Sequence, residues 1–184
     1  MITPEQLLRS KRQETGSTLD RPLEHLTACH RRIEERLDTL ERVADHLTDK
    51  RGEALDAMKT CFRFFETNGI LHTADEEESV FPRLQPSLND AEQKFIVQLE
   101  DQHREADGLY AALKAIAAQL EDGKTVSGEL QHLLRTAAGR LAELYRSHIA
   151  TEDRTLIALG QRVLSLAELA EISREMKRRR GLPA

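Results

Sequence analysis

Four histidines and two glutamates stand along the chain at spacings that suit metal ligation. His72 precedes Glu76 by four residues and His148 precedes Glu152 by four, while His30 and His103 lie on two other segments. Residues four apart on a helix share a face, so each His–Glu pair can aim a ring nitrogen and a carboxylate at one target. A buried carboxylate is costly unless paired, and two close together cannot both stay ionised without compensating charge. No Lys or Arg interrupts the apolar seams at this level, so divalent or trivalent cations are the natural compensation. Two bridging glutamates with two histidines per ion would leave positions open for oxo, water or a diatomic ligand. Nitrogen and oxygen donors suit iron, and by ligand type alone manganese or zinc is equally admissible.

Four long helical segments position these groups. The first runs from about Asp20 to Thr48 and the second from about Glu53 to Phe81, before Pro82 and Pro86. The third starts near Asn89 and stops before Asp122-Gly123; the fourth starts after Ser127-Gly128 and ends near Gly160. A short leading helix is expected from Thr3 as cap, Pro4 and Gln6, and a short last one from Ser165 with Glu168 as a capping box. Short connections between long helices make them antiparallel neighbours. The expected fold class is therefore all-α, an antiparallel up-down-up-down four-helix bundle with short additional N- and C-terminal helices. It divides into an extension over 1–19, the bundle over 20–160, and a short helix with a basic tail over 161–184.

Each segment carries an apolar seam at 3–4 spacing, interrupted once by a histidine. On the first, Leu26, His30, Ile33 and Leu37 follow one another; on the second, Met58, Phe62, Phe65, Gly69, His72 and Glu76. The third has Leu99, His103, Ala106 and Tyr110, and the fourth Leu141, Leu144, His148, Glu152, Thr155 and Leu159. At 1.5 Å rise per residue all four histidines fall roughly 14–20 Å from the same end of an antiparallel bundle. One buried histidine is ordinarily structural, but four at one level beside two glutamates on the seam point to metal. His30–Glu34 has the same spacing, but Glu34 lies beside the seam and is read as a coincidence of composition.

Composition narrows the remaining classes. The chain has 184 residues, of which 32 % are charged, with a net charge of −5 and no Trp. That length gives one domain with a real core, and the modest charge does not advertise nucleic acid. No apolar run reaches the ~20 residues of a membrane span, and the start lacks a signal-peptide core. The two cysteines, Cys29 and Cys61, lie roughly 16 Å apart along the bundle axis, too far for a disulfide, and a reducing cytosol is the expected compartment.

These residues resemble the hemerythrin family in its HHE cation-binding branch. HRRIEERL around His30, HTADEEESVFP around His72 and Glu76, EDQHREAD around His103, and HIATED around His148 and Glu152 look like its successive helix motifs. The resemblance spans about Pro22 to Gly160 and implies a four-helix bundle with a non-haem di-iron site, oxo- or hydroxo-bridged. The sequence departs from the family's oxygen carriers, which have a His-x3-His pair on the third helix; here Asp107 follows His103 at that spacing. Carriers also use His-x4-Asp on the fourth helix. Asp153 has that spacing, but Glu152 continues the seam and is preferred. The missing histidine leaves an open position or a place for Asp107, water or Tyr110.

The expected metal ligands are thus His30, His72, Glu76, His103, His148 and Glu152, with Asp107 and Tyr110 as additional or supporting groups. Tyr110 and Tyr145 are otherwise packing residues. Glu77, Glu78, His25, His46 and His132 fall off the seam and are expected in solvent, as is the terminal KRRR run, which suits a helix C-terminus. Three functions follow. The first is a di-iron module that senses, binds or handles oxygen, nitric oxide or iron without turning over an organic substrate. The second is a peroxidase- or oxidase-like enzyme, or an iron-storage or detoxification protein; the third is a metal-free structural bundle. Expected partners are metal ions and a small diatomic ligand, with no nucleic acid, no membrane and an unidentified protein partner.

Overall fold

The computed structural model describes residues 18–120 and 126–183. The expected leading helix capped by Thr3, and the Asp122-Gly123 stop, lie outside the described residues. Among the described residues all regular structure is helical and falls into five rods. The first is α1 (Pro22–Asp45). The second, residues 51–84, strings together α2 (Arg51–Phe64), a π turn (Phe65–Gly69), α3 (Ile70–Asp75), a second π turn (Glu76–Val80) and α4 (Phe81–Leu84). The third is α5 (Asp90–Ala117). The fourth, residues 128–163, comprises α6 (Gly128–Thr151), a π turn (Glu152–Leu156) and α7 (Ile157–Val163). The fifth is α8 (Leu166–Arg179).

Local chemistry starts four of the five rods. Pro22 opens α1, where its missing N–H is no loss. Asn89 caps α5, accepting from the backbone of Ala91 and Glu92 while Glu92 returns a bond to the Asn89 N–H. Ser127 caps α6 through Leu130, and Ser165 with Glu168 forms the expected capping box of α8. Gly160 does not end the fourth rod, which continues to Val163. Its role is a close approach, since a Cβ there would come within 2.9 Å of Leu23 Cδ2.

Cross-rod partners run in opposite directions. Along α1 the sequence Arg31, Asp38, Asp45 meets Asp153, Arg146, Arg135 on the fourth rod. Phe62 and Glu77 on the second rod meet Tyr110 and His103 on α5 in reverse order. Glu92 and His103 meet Arg162 and His148. Fully or nearly fully buried side chains form two apolar clusters. One holds Ile33, Leu37, Met58, Phe65, Leu113, Leu134 and Leu141. The other holds Leu26, Phe81, Leu84, Ile96, Leu99, Leu156, Ile172 and Met176. Between Leu26 and Ile33 on α1 lies His30; the other histidines and glutamates interrupt their rods at the same transition, so a polar layer separates the two clusters.

Several expectations are corrected here. His25 is not in solvent but 1 % exposed, with Thr18 Oγ1 and Cys29 Sγ at 3.1 and 3.5 Å from its ring nitrogens. The burial that surrounds it, aided by the Arg180 and Arg32 charges, lowers its pKa to about 3. The KRRR run is not simply solvated, because Arg179 and Arg180 reach a buried carboxylate. On the fourth rod, Leu156 is fully buried and Thr155 only half-buried, a one-residue shift caused by the π turn. On α2, Cys61 is buried and Phe62, half-buried, packs against the same cluster. His46 and His132 are exposed, and both cysteines are buried and free.

Candidate metal centre

The polar layer is built by one turn from each of four rods. α1 brings His30; the α3–π junction brings His72 and Glu76; α5 brings His103; the α6–π junction brings His148 and Glu152. All six are at most 7 % exposed, and both glutamates are 0 %. His30, His72, Glu76 and Glu152 form one group that could hold a metal ion, and Glu76, His103, His148 and Glu152 form a second, with ligand atoms inside each group within 4.8 Å of one another. Both glutamates therefore belong to both groups. His30 Nε2 lies 3.2 Å from Glu152 Oε2 and 3.8 Å from Glu76 Oε1. His72 Nε2 is 3.6 Å from Glu76 Oε1, and His103 Nε2 is 3.5 Å from Glu76 Oε2. His148 Nε2 is 3.2 Å from Glu152 Oε2 and 3.0 Å from His103 Nε2.

The outward nitrogens explain this inward convergence. His30 Nδ1 donates to Asp153 Oδ1 at 2.7 Å, His103 Nδ1 to Glu77 Oε1 at 2.8 Å, and His148 Nδ1 to Gln102 Oε1 at 2.9 Å. A proton fixed on Nδ1 leaves the Nε2 lone pair turned toward the centre, the tautomer a metal ligand needs. Arg31 in turn pairs with Asp153, and the Phe81 ring stacks parallel to His103 with centroids 6.4 Å apart.

The donor set fits a pair of cations. Both oxygens of Glu76, both of Glu152, His30 Nε2 and His72 Nδ1 are buried without a hydrogen-bond partner, a condition that ordinary interiors avoid. Burial and the Glu152 charge push Glu76 well above the usual carboxylate range. Burial acts the same way on Glu152, but the His148 and His30 imidazoles outweigh it and hold that carboxyl low. For His30, burial opposes a charge, yet Glu152 and Glu76 push its pKa up to about 11. Burial, with the His30 charge, keeps His72 neutral. A proton and a metal ion compete for such positions.

The supporting residues lie elsewhere than expected. Asp107 is exposed and in neither group; it borders a groove of about 300 Å³ together with Phe65, Ile70, Glu77, Tyr110 and Tyr145. Tyr110 donates its hydroxyl to the Phe62 carbonyl at 3.2 Å. Asp153, left open by the sequence, holds the outer nitrogen of His30. Glu77, expected in solvent, and Gln102 do the same for His103 and His148. Nothing in local spacing marks Glu77 and Gln102, because each serves a histidine on another rod.

Described residues that are helical throughout their regular structure, with a buried layer gathering imidazoles and shared carboxylates, give the architecture of a cation-binding helical protein. The model of the hemerythrin HHE cation binding domain matches residues 21–159, and the chain belongs to that family. Domains of this kind bind metal cations, typically iron. No curated protein matches the chain.

Proposed function

We propose that this is a non-haem di-iron protein that binds, senses or handles oxygen, nitric oxide or iron. His30 and His72 would hold one ion, His103 and His148 the other, and Glu76 and Glu152 would span both. One observation carries this reading: four glutamate oxygens, wholly buried at one level, have no hydrogen-bond donor. A metal pair would take the place of the proton that His30 carries there, and would supply Lewis acidity and one-electron chemistry to a small ligand. The chain's own residues contribute orientation, through Asp153, Glu77 and Gln102, and exclusion of water, through the apolar clusters on either side.

The antiparallel up-down-up-down bundle over 20–160 is part of this reading, supported by the reversed order of cross-rod partners. The segments 1–19 and 161–184 are proposed as additions to it. No helix among the described residues is long and apolar enough to cross a membrane, and a cytosolic setting is proposed from the free, buried cysteines. A second reading, an oxidase- or peroxidase-like enzyme, is favoured by the groove beside Tyr145, whose volume exceeds that of a diatomic molecule.

Anaerobic loading with ferrous iron, followed by metal analysis and optical spectra with and without oxygen, tests the proposal. Iron uptake with an oxygen-dependent spectrum is expected; a chain that retains no iron refutes it. Reversible oxygen binding supports the binding module, whereas multiple-turnover peroxide consumption supports the enzyme.

A further inference from the structure

The fifth rod, α8, lies beyond the stretch that matches the family, yet it reaches the polar layer. Asp75 immediately precedes Glu76 and follows His72 by three residues, and it is 0 % exposed. Its carboxylate accepts hydrogen bonds from Arg179 at 3.0 Å and from Arg180 at 3.1 and 2.6 Å. Arg179 also donates to Ser79 Oγ at 2.8 Å and to Glu78 at 3.1 Å, so it grips both sides of the π turn that begins at Glu76. Arg180 donates to the Met176 carbonyl at 2.9 Å, which fixes its guanidinium on its own helix. Ile172 and Met176, both fully buried, seat α8 in the second apolar cluster. A separate tie, the bidentate Arg83–Glu175 pair at 3.0 and 2.9 Å, joins the same two rods farther from the centre.

We infer that Asp75, Arg179 and Arg180 form a positioning clamp that holds the His72–Glu76 turn in register for metal. The inference rests on the metal reading above, and it makes a helix outside the matched domain part of the centre. A carboxylate with no exposure needs a cation beside it, and for Asp75 the ion pairs come from α8. Withdrawing the two guanidiniums leaves a buried carboxylate without a cation immediately beside Glu76. Its relief is a rotation of the turn toward solvent or toward the cluster, and either movement displaces His72 and Glu76, which ride on that turn. The Arg83–Glu175 pair has no such consequence, because it neutralises no group adjacent to a ligand.

The test uses the full chain loaded anaerobically with ferrous iron. Arg179→Gln/Arg180→Gln is compared with Arg83→Gln, which severs the other tie of the same helix. Three readouts are followed: the rate at which a ferrous chelator strips the iron, the ligand-field spectrum of the cobalt(II)-loaded protein, and the far-ultraviolet circular dichroism. The double variant is expected to release iron about tenfold faster or more, with an altered cobalt spectrum, and Arg179→Lys/Arg180→Lys to recover part of the loss. Arg83→Gln is expected to release iron at the wild-type rate. Asp75→Asn, which removes the anion while Arg179 keeps Glu78 and Ser79 and Arg180 keeps the Met176 carbonyl, is expected to release iron faster as well. Equal release from the double variant and Arg83→Gln, or wild-type release and spectrum from Asp75→Asn, would overturn the clamp alone. A wild-type chain that takes up no iron would overturn the metal reading beneath it.

Discussion

Glu76 offers a prediction in which function and stability part company. Its side chain is wholly buried, neither oxygen meets a donor, and the carboxylates of Glu152 and Asp75 both act on it. Replacing it with Met keeps length and approximate volume while removing the buried carboxyl and both orphaned oxygens. The residue loss does not strand a partner. His30 keeps Asp153 on one nitrogen and Glu152 at 3.2 Å from the other, and Asp75 keeps its guanidiniums. A buried polar group without a hydrogen-bond partner costs about 1–3 kcal/mol. Glu76→Met should therefore stabilise the metal-free chain by about 1–3 kcal/mol, which at about 2–4 °C per kcal/mol for a chain of this size gives a rise of several degrees in melting temperature. The iron-loaded comparison should reverse the order, because the wild type gains binding energy that the variant cannot. Urea and thermal denaturation of chelator-treated and iron-loaded samples measure both halves. If the metal-free variant were less stable than the metal-free wild type, Glu76 would have to be satisfied without a cation, and the reasoning that its oxygens await one would be wrong.

Other substitutions separate the layer from the cores around it. His72→Ala should abolish or sharply reduce iron retention while changing metal-free stability only modestly; equal metal content in variant and wild type would refute its assignment as a ligand. Leu141→Ala, at a fully buried position in the first apolar cluster, should cost about 2–5 kcal/mol through the cavity it leaves while iron content per folded chain stays unchanged. His25 makes stability fall in acid: the folded chain keeps it neutral down to about pH 3, whereas the unfolded chain protonates it near 6.5. Its contribution is complete above pH 6.5 and declines as pH falls toward 3, with a loss of about 2 kcal/mol by pH 5. His25→Gln should flatten that part of the stability profile, and an unchanged slope between pH 6.5 and 5 in urea titrations would show that the ring titrates normally.

The long rods and their caps were legible because they depend on neighbours in the chain. Asn89, Ser127 and Ser165 announce helix starts through side chains that reach only two or three residues ahead. The common level of the four histidines was also legible, since helical rise and reversal of direction turn sequence distance into height. The π turns were not. Each widens the helix by one residue, so the inward face passes to Leu156 where unbroken α spacing points to Thr155. Partnerships between rods were hidden for a different reason: Glu77 and Gln102 are distinguished only by the histidine that each meets across an interface. His25 and the terminal arginines were misjudged together. A four-rod picture leaves the outer flank of the first two rods in water, and α8 covers that flank, packing on both.

Two of the three π turns begin at the glutamates themselves, Glu76 and Glu152, and the arrangement of layers gives a reason. A His-x3-Glu pair directs two successive inward positions of a rod at the polar centre. The apolar seam must then resume one turn later, with Val80 and Phe81 on one rod and Leu156 on the other, all fully buried. An extra residue in the turn lets the backbone rotate back without drawing the carboxylate away from its target. Regular α geometry already separates consecutive side chains by about 100°, so Asp153 can face His30 although it adjoins Glu152, and Asp75 can meet α8 although it adjoins Glu76. The ligand points toward the centre and its neighbour toward a supporting contact, and the extra residue of the π turn then returns the apolar seam to the core.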